Sequence, residues 1–99
     1  RLMVTTKDQF VQSRLGEYSQ ITGAIDKLQR RARIVGNDVS REHHEQMEGL
    51  LAMRDDAMRK IEAMRQAPAN DWQSLADDVD NALAELEAAT RRVVADLRR

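Results

Sequence analysis

Apolar residues recur at steps of three and four through nearly the whole chain. The stripe runs Val11, Tyr18, Ile21, Ile25, Leu28, Ala32, Val35, then Met47, Leu50, Ala57, Ile61, Met64, then Trp72, Leu75, Val79, Leu83, Leu86, Val93, Leu97. Residues three and four apart stack on one helical face, so the spacing predicts amphipathic helices packed side by side along a narrow seam. Two segments interrupt it, Gly36-Asn37-Asp38 and Ala67-Pro68-Ala69-Asn70-Asp71.

The interruptions carry the chemistry of helix ends. Thr6-Lys7-Asp8-Gln9 has the form of a capping box, which places a helix start at about residue 7. Gly36 tolerates left-handed dihedrals, and Asn37 and Asp38 are good N-cap types, so a tight turn is expected after Val35. Pro68 disfavours helical geometry in the residue before it, and Asn70 or Asp71 can cap the next helix. The pattern predicts a single all-α domain with helices at about 7–35, 38–66 and 71–98. Nearly equal lengths and short links suit an antiparallel three-helix coiled-coil bundle running up, down and up.

Charge follows the same division. Lys27, Arg30, Arg31 and Arg33 close the first segment, and Asp38, Glu42, Glu45 and Glu48 open the second. In the third, Asp71, Asp77, Asp78, Asp80, Glu85 and Glu87 precede Arg91, Arg92, Arg98 and Arg99, the order that a helix dipole favours. An alternative reading runs the helix straight through Gly36, because an interior glycine costs only about 1 kcal/mol. Val35, Val39, His43 and Met47 step by four across it, a stutter that a continuous coiled coil accommodates. The result would be a long helical hairpin, with one helix over about 7–66 and another over 71–98, whose exposed seam would require a dimer.

Composition narrows the function classes. The 99 residues allow one thin core and leave little room for a deep cleft. Sixteen basic residues against 17 acidic ones produce no field that would steer the chain to nucleic acid or an anionic membrane. There is no Cys, hence no disulfide or thiolate metal site; redox chemistry does not indicate the compartment, and a reducing cytoplasm, the expected setting, is compatible with it. No apolar run approaches the roughly 20 residues of a transmembrane helix. The chain opens Arg1-Leu2-Met3, so either the first two residues are extraneous or the chain is a fragment, and those two are set aside.

Four sets of side chains are candidates for chemistry, and each has a structural reading beside the functional one. His43 and His44 with Glu48 could contribute half a metal site, since His44 and Glu48 are four apart, but bundle metal centres draw ligands from several helices. Arg54 falls within the stripe between Met47 and Ile61. It could pair with Asp55, Asp26, Asp78 or Asp80 to set helix register, or it could reach out to water. Met53 and Met58 lie off the seam, where they either widen the core or face a partner. The arginines at 30, 31 and 33 and at 91 and 92 could meet phosphates, but they sit at helix C-terminal ends, and few aromatics are available to stack on bases.

Phe10-Val11, Ile25-Asp26-Lys27-Leu28, Leu51-Ala52-Met53-Arg54-Asp55-Asp56-Ala57 and Asp71-Trp72-Gln73-Ser74-Leu75 occur here in a characteristic order and spacing. Together they resemble a family of small bacterial coiled-coil domain-containing proteins of unassigned function, over roughly residues 10–86. The chain departs from that pattern at Ile21 and Leu83, where relatives often carry Trp, and at His43, where they often carry Tyr. Relatives also tend to read helically through the stretch that holds Gly36-Asn37. The resemblance implies an all-helical rod and no catalytic residue.

The sequence therefore points away from an enzyme. No catalytic residue, cofactor site or metal ligand is assigned, and no Gly-rich phosphate loop or nucleophile elbow occurs. The expected function is a helical module that binds another protein or itself, with a homodimer possible and no nucleic-acid partner. The alternatives are reversible binding to a lipid surface by opened amphipathic helices, and metal binding through His43, His44 and Glu48.

Overall fold

The computed structural model describes residues 6–35, 41–68 and 70–97, without the side chains of 32–35, 41, 42 and 97. Among these residues the chain forms three helices and no strand: α1 (Thr6–Val35), α2 (Arg41–Gln66) and α3 (Gln73–Leu97). Each helix packs against both of the others, giving an all-α three-helix bundle. The molecule measures 55 × 24 × 17 Å, long in one direction because a 30-residue helix alone spans about 45 Å.

Cross-helix contacts fix the directions. Lys7 Nζ, at the start of α1, donates to the carbonyls of Arg65 (3.0 Å), in the last turn of α2, and Ala67 (2.8 Å), just beyond it. Gln46, near the start of α2, donates from Nε2 to Asp96 Oδ2 at the end of α3 (2.8 Å). Phe10 and Trp72 bring the starts of α1 and α3 together. The order is up, down, up, with α1 and α3 parallel. A single helix through residues 7–66 is excluded, because it would hold Lys7 and Arg65 about 87 Å apart at 1.5 Å per residue. Gly36-Asn37-Asp38, the expected first turn, lies outside the described residues.

The core follows the stripe. Ile25, Leu50, Ile61, Met64, Leu86 and Val79 are its largest fully enclosed side chains. Tyr18, Met47 and Leu75 pack against it while partly exposed. The stripe omitted Ala82, Ala89 and Thr90, which are also buried. Val79 to Leu83 is a four-residue step following another, so the seam slips around α3 there and covers Ala82 as well as Leu83. Thr90 fills the heptad position between Leu86 and Val93, and its hydroxyl donates to the Leu86 carbonyl (2.7 Å), so no polar group there is left without a bond.

The second link is a set of tight turns. Asp71 N donates to Pro68 O (2.9 Å), and Ala67 N donates to Met64 O (3.2 Å). The start of α3 corrects the expected cap. The Asp71 carbonyl receives both the Ser74 amide (3.2 Å) and the Ser74 hydroxyl (2.8 Å), and the Trp72 carbonyl receives the Leu75 amide. Backbone oxygens thus order this end, with Trp72 buried as the apolar plug. Since α3 starts at Gln73, its first turn contains no acid and its last turn no base. Asp77, Asp78 and Asp80 stand a turn further in, where the dipole's influence has decayed.

Candidate interaction surface

The seam of α1 steps from Val11 to Tyr18, and the heptad position between them is Arg14. Its guanidinium lies 3.9 Å from the centre of the Phe10 ring, while Nε donates to Asp80 Oδ1 of α3 at 2.6 Å. Phe10 in turn meets Trp72, with ring centres 5.5 Å apart and planes tilted by 48°. A charge at a seam position is tolerated here because the ring covers one face of it and a carboxylate meets its edge. The Asp80 hydrogen bond raises the Arg14 pKa, burial opposes it, and the charges of Asp80 and Glu17 add to the rise.

Asp80 is therefore committed to Arg14 and does not serve Arg54. The Arg54 guanidinium meets Asp55 instead, at 3.4 Å, and its side chain is 30% exposed. Neighbouring residues on a helix do not face one another well, so this long contact holds no register, and Arg54 lies with its stem along the seam and its head toward water. Its charge reaches Tyr18. Burial pushes the Tyr18 phenol above its usual range; Arg54 draws it down and Asp55 pushes it up.

His44 Nε2 and Glu48 Oε1 are 3.1 Å apart on adjacent turns of α2, with both side chains about 70% exposed. His43 is half-buried on the same helix. Among the described residues no group of three or more His, Cys, Asp or Glu is gathered closely enough to hold a metal ion. Met53 packs on the core, as a wide stripe requires, and Met58 is partly exposed. Arg91 pairs along its own helix with Glu87 at 2.7 Å, while Arg30 and Arg31 stand exposed near the end of α1.

The bundle is not equally closed on its three sides. Between α1 and α3 a groove of about 410 Å³ opens, with Ile21, Ala24, Thr90, Val94 and Ala95 along it and Glu17, Gln20, Glu87 and Arg91 at its edges. Smaller hollows of about 260 and 220 Å³ lie along α2 and α3. The larger groove lies where Ala24 of α1 and Thr90 and Ala95 of α3 stand between longer side chains. Gly16 and Gly23 lie on another side of α1, outside the groove, and a Cβ added at either would meet nothing within 4 Å. The volume falls in the range of small-molecule sites. Its polar groups do not converge, however: Glu87 and Arg91 satisfy one another along the rim.

The sequence did not single out Arg14 or this groove. The gap at residue 14 in an otherwise regular heptad stripe was a readable signal for the first. Nothing local marks the second, since it depends on which small residues of two helices come to lie opposite one another. Among the described residues no helix is long and apolar enough to cross a membrane. Compared with family models, curated proteins and solved structures, the chain produces no significant match.

Proposed function

We propose that this chain is a non-enzymatic helical module whose role is to bind another protein or a second copy of itself. The observation that carries this reading is the uncovered strip of the α1/α3 groove. It is an apolar line of Ala24, Val94 and Ala95 above the buried Ile21, between two helices whose charged neighbours are arranged along its edges. Small residues on a helix face let another helix approach closely, and an open apolar line is what such an approach would bury. The resemblance to bacterial coiled-coil proteins belongs to the same reading, as does a cytoplasmic setting, which is compatible with a chain that has no Cys.

The test uses the chain and an Ala24→Arg variant matched to it in helicity and melting temperature. Light scattering over a concentration series measures self-association. In parallel, proteins captured from the source cell are purified and recombined with each form. The expected result is a defined dimer or a reconstituted complex, either of which Ala24→Arg weakens. A chain that stays monomeric and re-forms a complex with no purified candidate overturns the proposal.

A further inference from the structure

We infer that the occupant of the α1/α3 groove is a second copy of this chain, docked antiparallel about a two-fold axis that passes beside Ala24 of α1. This rests on the association reading above and names its partner. The argument is charge symmetry along α1. Glu17, Gln20 and Ala24 line the groove, and helical periodicity carries the same face on through Lys27 to Arg31. Glu17 stands seven residues before Ala24, and Arg31 stands seven after it. A two-fold interface brings one patch against itself, so residue i meets j while j meets i. With Ala24 at the axis, each Glu17 faces the Arg31 of the other copy, and the two α1 dipoles oppose.

These charges are available for the purpose. Glu17 and Arg31 are exposed and make no ion pair among the described residues, Glu17 acting on Arg14 only through space, whereas Glu87 and Arg91 are already paired along α3. Ala24 places the smallest side chain of the face where the two helices would come nearest. A parallel arrangement would oppose Glu17 to Glu17 and Arg31 to Arg31. The face also sets the strength. From Glu17 to Arg31 the helix runs about 21 Å, and the molecule is 24 Å across. Each copy thus covers at most about 500 Å², at the low end for protein interfaces, so a reversible dimer is expected rather than an obligate one.

Sedimentation velocity over a micromolar-to-millimolar series, at low and high salt, tests the inference on the whole chain. Glu17→Arg and Arg31→Glu are each expected to weaken the dimer on the order of tenfold, since each creates two like-charge contacts, and the double variant is expected to restore it. Circular dichroism on each variant reports the fold separately. Because the chain has no Cys, Ala24→Cys provides an independent readout. Mild oxidation should link it to its own copy far faster than Ala63→Cys, placed on the exposed side of α2.

Loss on single swaps with recovery in the double variant, together with selective crosslinking at residue 24, supports the inference. A dimer indifferent to the swaps overturns this face and leaves self-association standing. A monomer at every concentration overturns the inference, and the recombination experiment then decides the broader proposal by itself.

Discussion

Arg14 shows how a charged residue can hold a seam position. Replacing it with Ala removes the Asp80 ion pair, the ring contact with Phe10 and the packing of its own stem, a combined loss of about 1–2 kcal/mol. A double-mutant cycle of Arg14→Ala with Asp80→Asn isolates the pair. Because Asp80 is 45% exposed, the coupling should be no more than about 1 kcal/mol and should shrink in high salt. A coupling near zero at low salt would show that Arg14 acts through packing alone. Tyr18 supplies a pH dependence. Its folded pKa is raised, chiefly by burial, so around and above the ordinary phenol value of about 10 the folded state holds its proton more tightly than the unfolded one. That contribution is fully present below the unfolded pKa and is lost as pH rises through the folded pKa. Denaturant titrations between pH 8 and about 11 should therefore show the natural chain losing more stability than Tyr18→Phe; parallel curves would contradict the assignment.

At the scale of elements, the helices are ordered by packing more than by their ends. The third helix lacks both a first-turn acid and a last-turn base, yet it carries Val79, Ala82, Leu83, Leu86, Ala89, Thr90 and Val93 into the core. Ends are instead secured across helices, as when Lys7 of α1 bonds the carbonyls of Arg65 and Ala67, where the dipole of α2 favours a cation. The glycines are the reverse case. Gly16 and Gly49 sit exposed inside helices, and an added Cβ at either meets nothing within 4 Å. Gly16→Ala and Gly49→Ala should each stabilise the fold by up to about 1 kcal/mol, through lower backbone entropy in the unfolded chain. Chemical denaturation measures this directly, and a destabilised Gly16→Ala would mean that its face is already in contact with something. How much of this level was legible follows the range of the signal. Helix type, the Pro68 break and most of the core could be read from the 3–4 spacing, which is local. The bonds that order the start of α3 were not legible, because those at Asp71 and Trp72 use backbone carbonyls, which are the same in every residue type.

In the whole molecule, α2 and α3 pack on each other more extensively than either packs on α1. The weaker attachment follows from Arg14 in the seam and from the open groove beside Ile21 and Ala24. Local stability tracks buried apolar contact, so α1 should be the first helix to open. Amide hydrogen exchange at low concentration is expected to show less protection along Ile21–Leu28 than along Leu50–Ile61 or Val79–Val93. If the proposed dimer forms, raising the concentration should then slow exchange in α1 selectively, because that helix lies at its interface. Uniform protection in all three helices would contradict both the packing argument and its consequence.

The sequence by itself determined the helical class, the firm break at Pro68 and the stripe that becomes the core, because apolar periodicity and proline sterics act within a few residues of chain. It left open whether the seam closed on itself or needed a partner, since Gly36 permits either path. Tertiary structure decided that question by bringing Lys7 beside Arg65. It also decided which charges meet: Asp80 was one of several carboxylates within reach of Arg54 on paper, and Arg14, 66 residues away in sequence, holds it. Such pairings depend on the rotation and level of whole helices, which are set by the summed packing of the core and by no single residue. The α1/α3 groove arises in the same way, from small residues on two helices that only the packed bundle aligns.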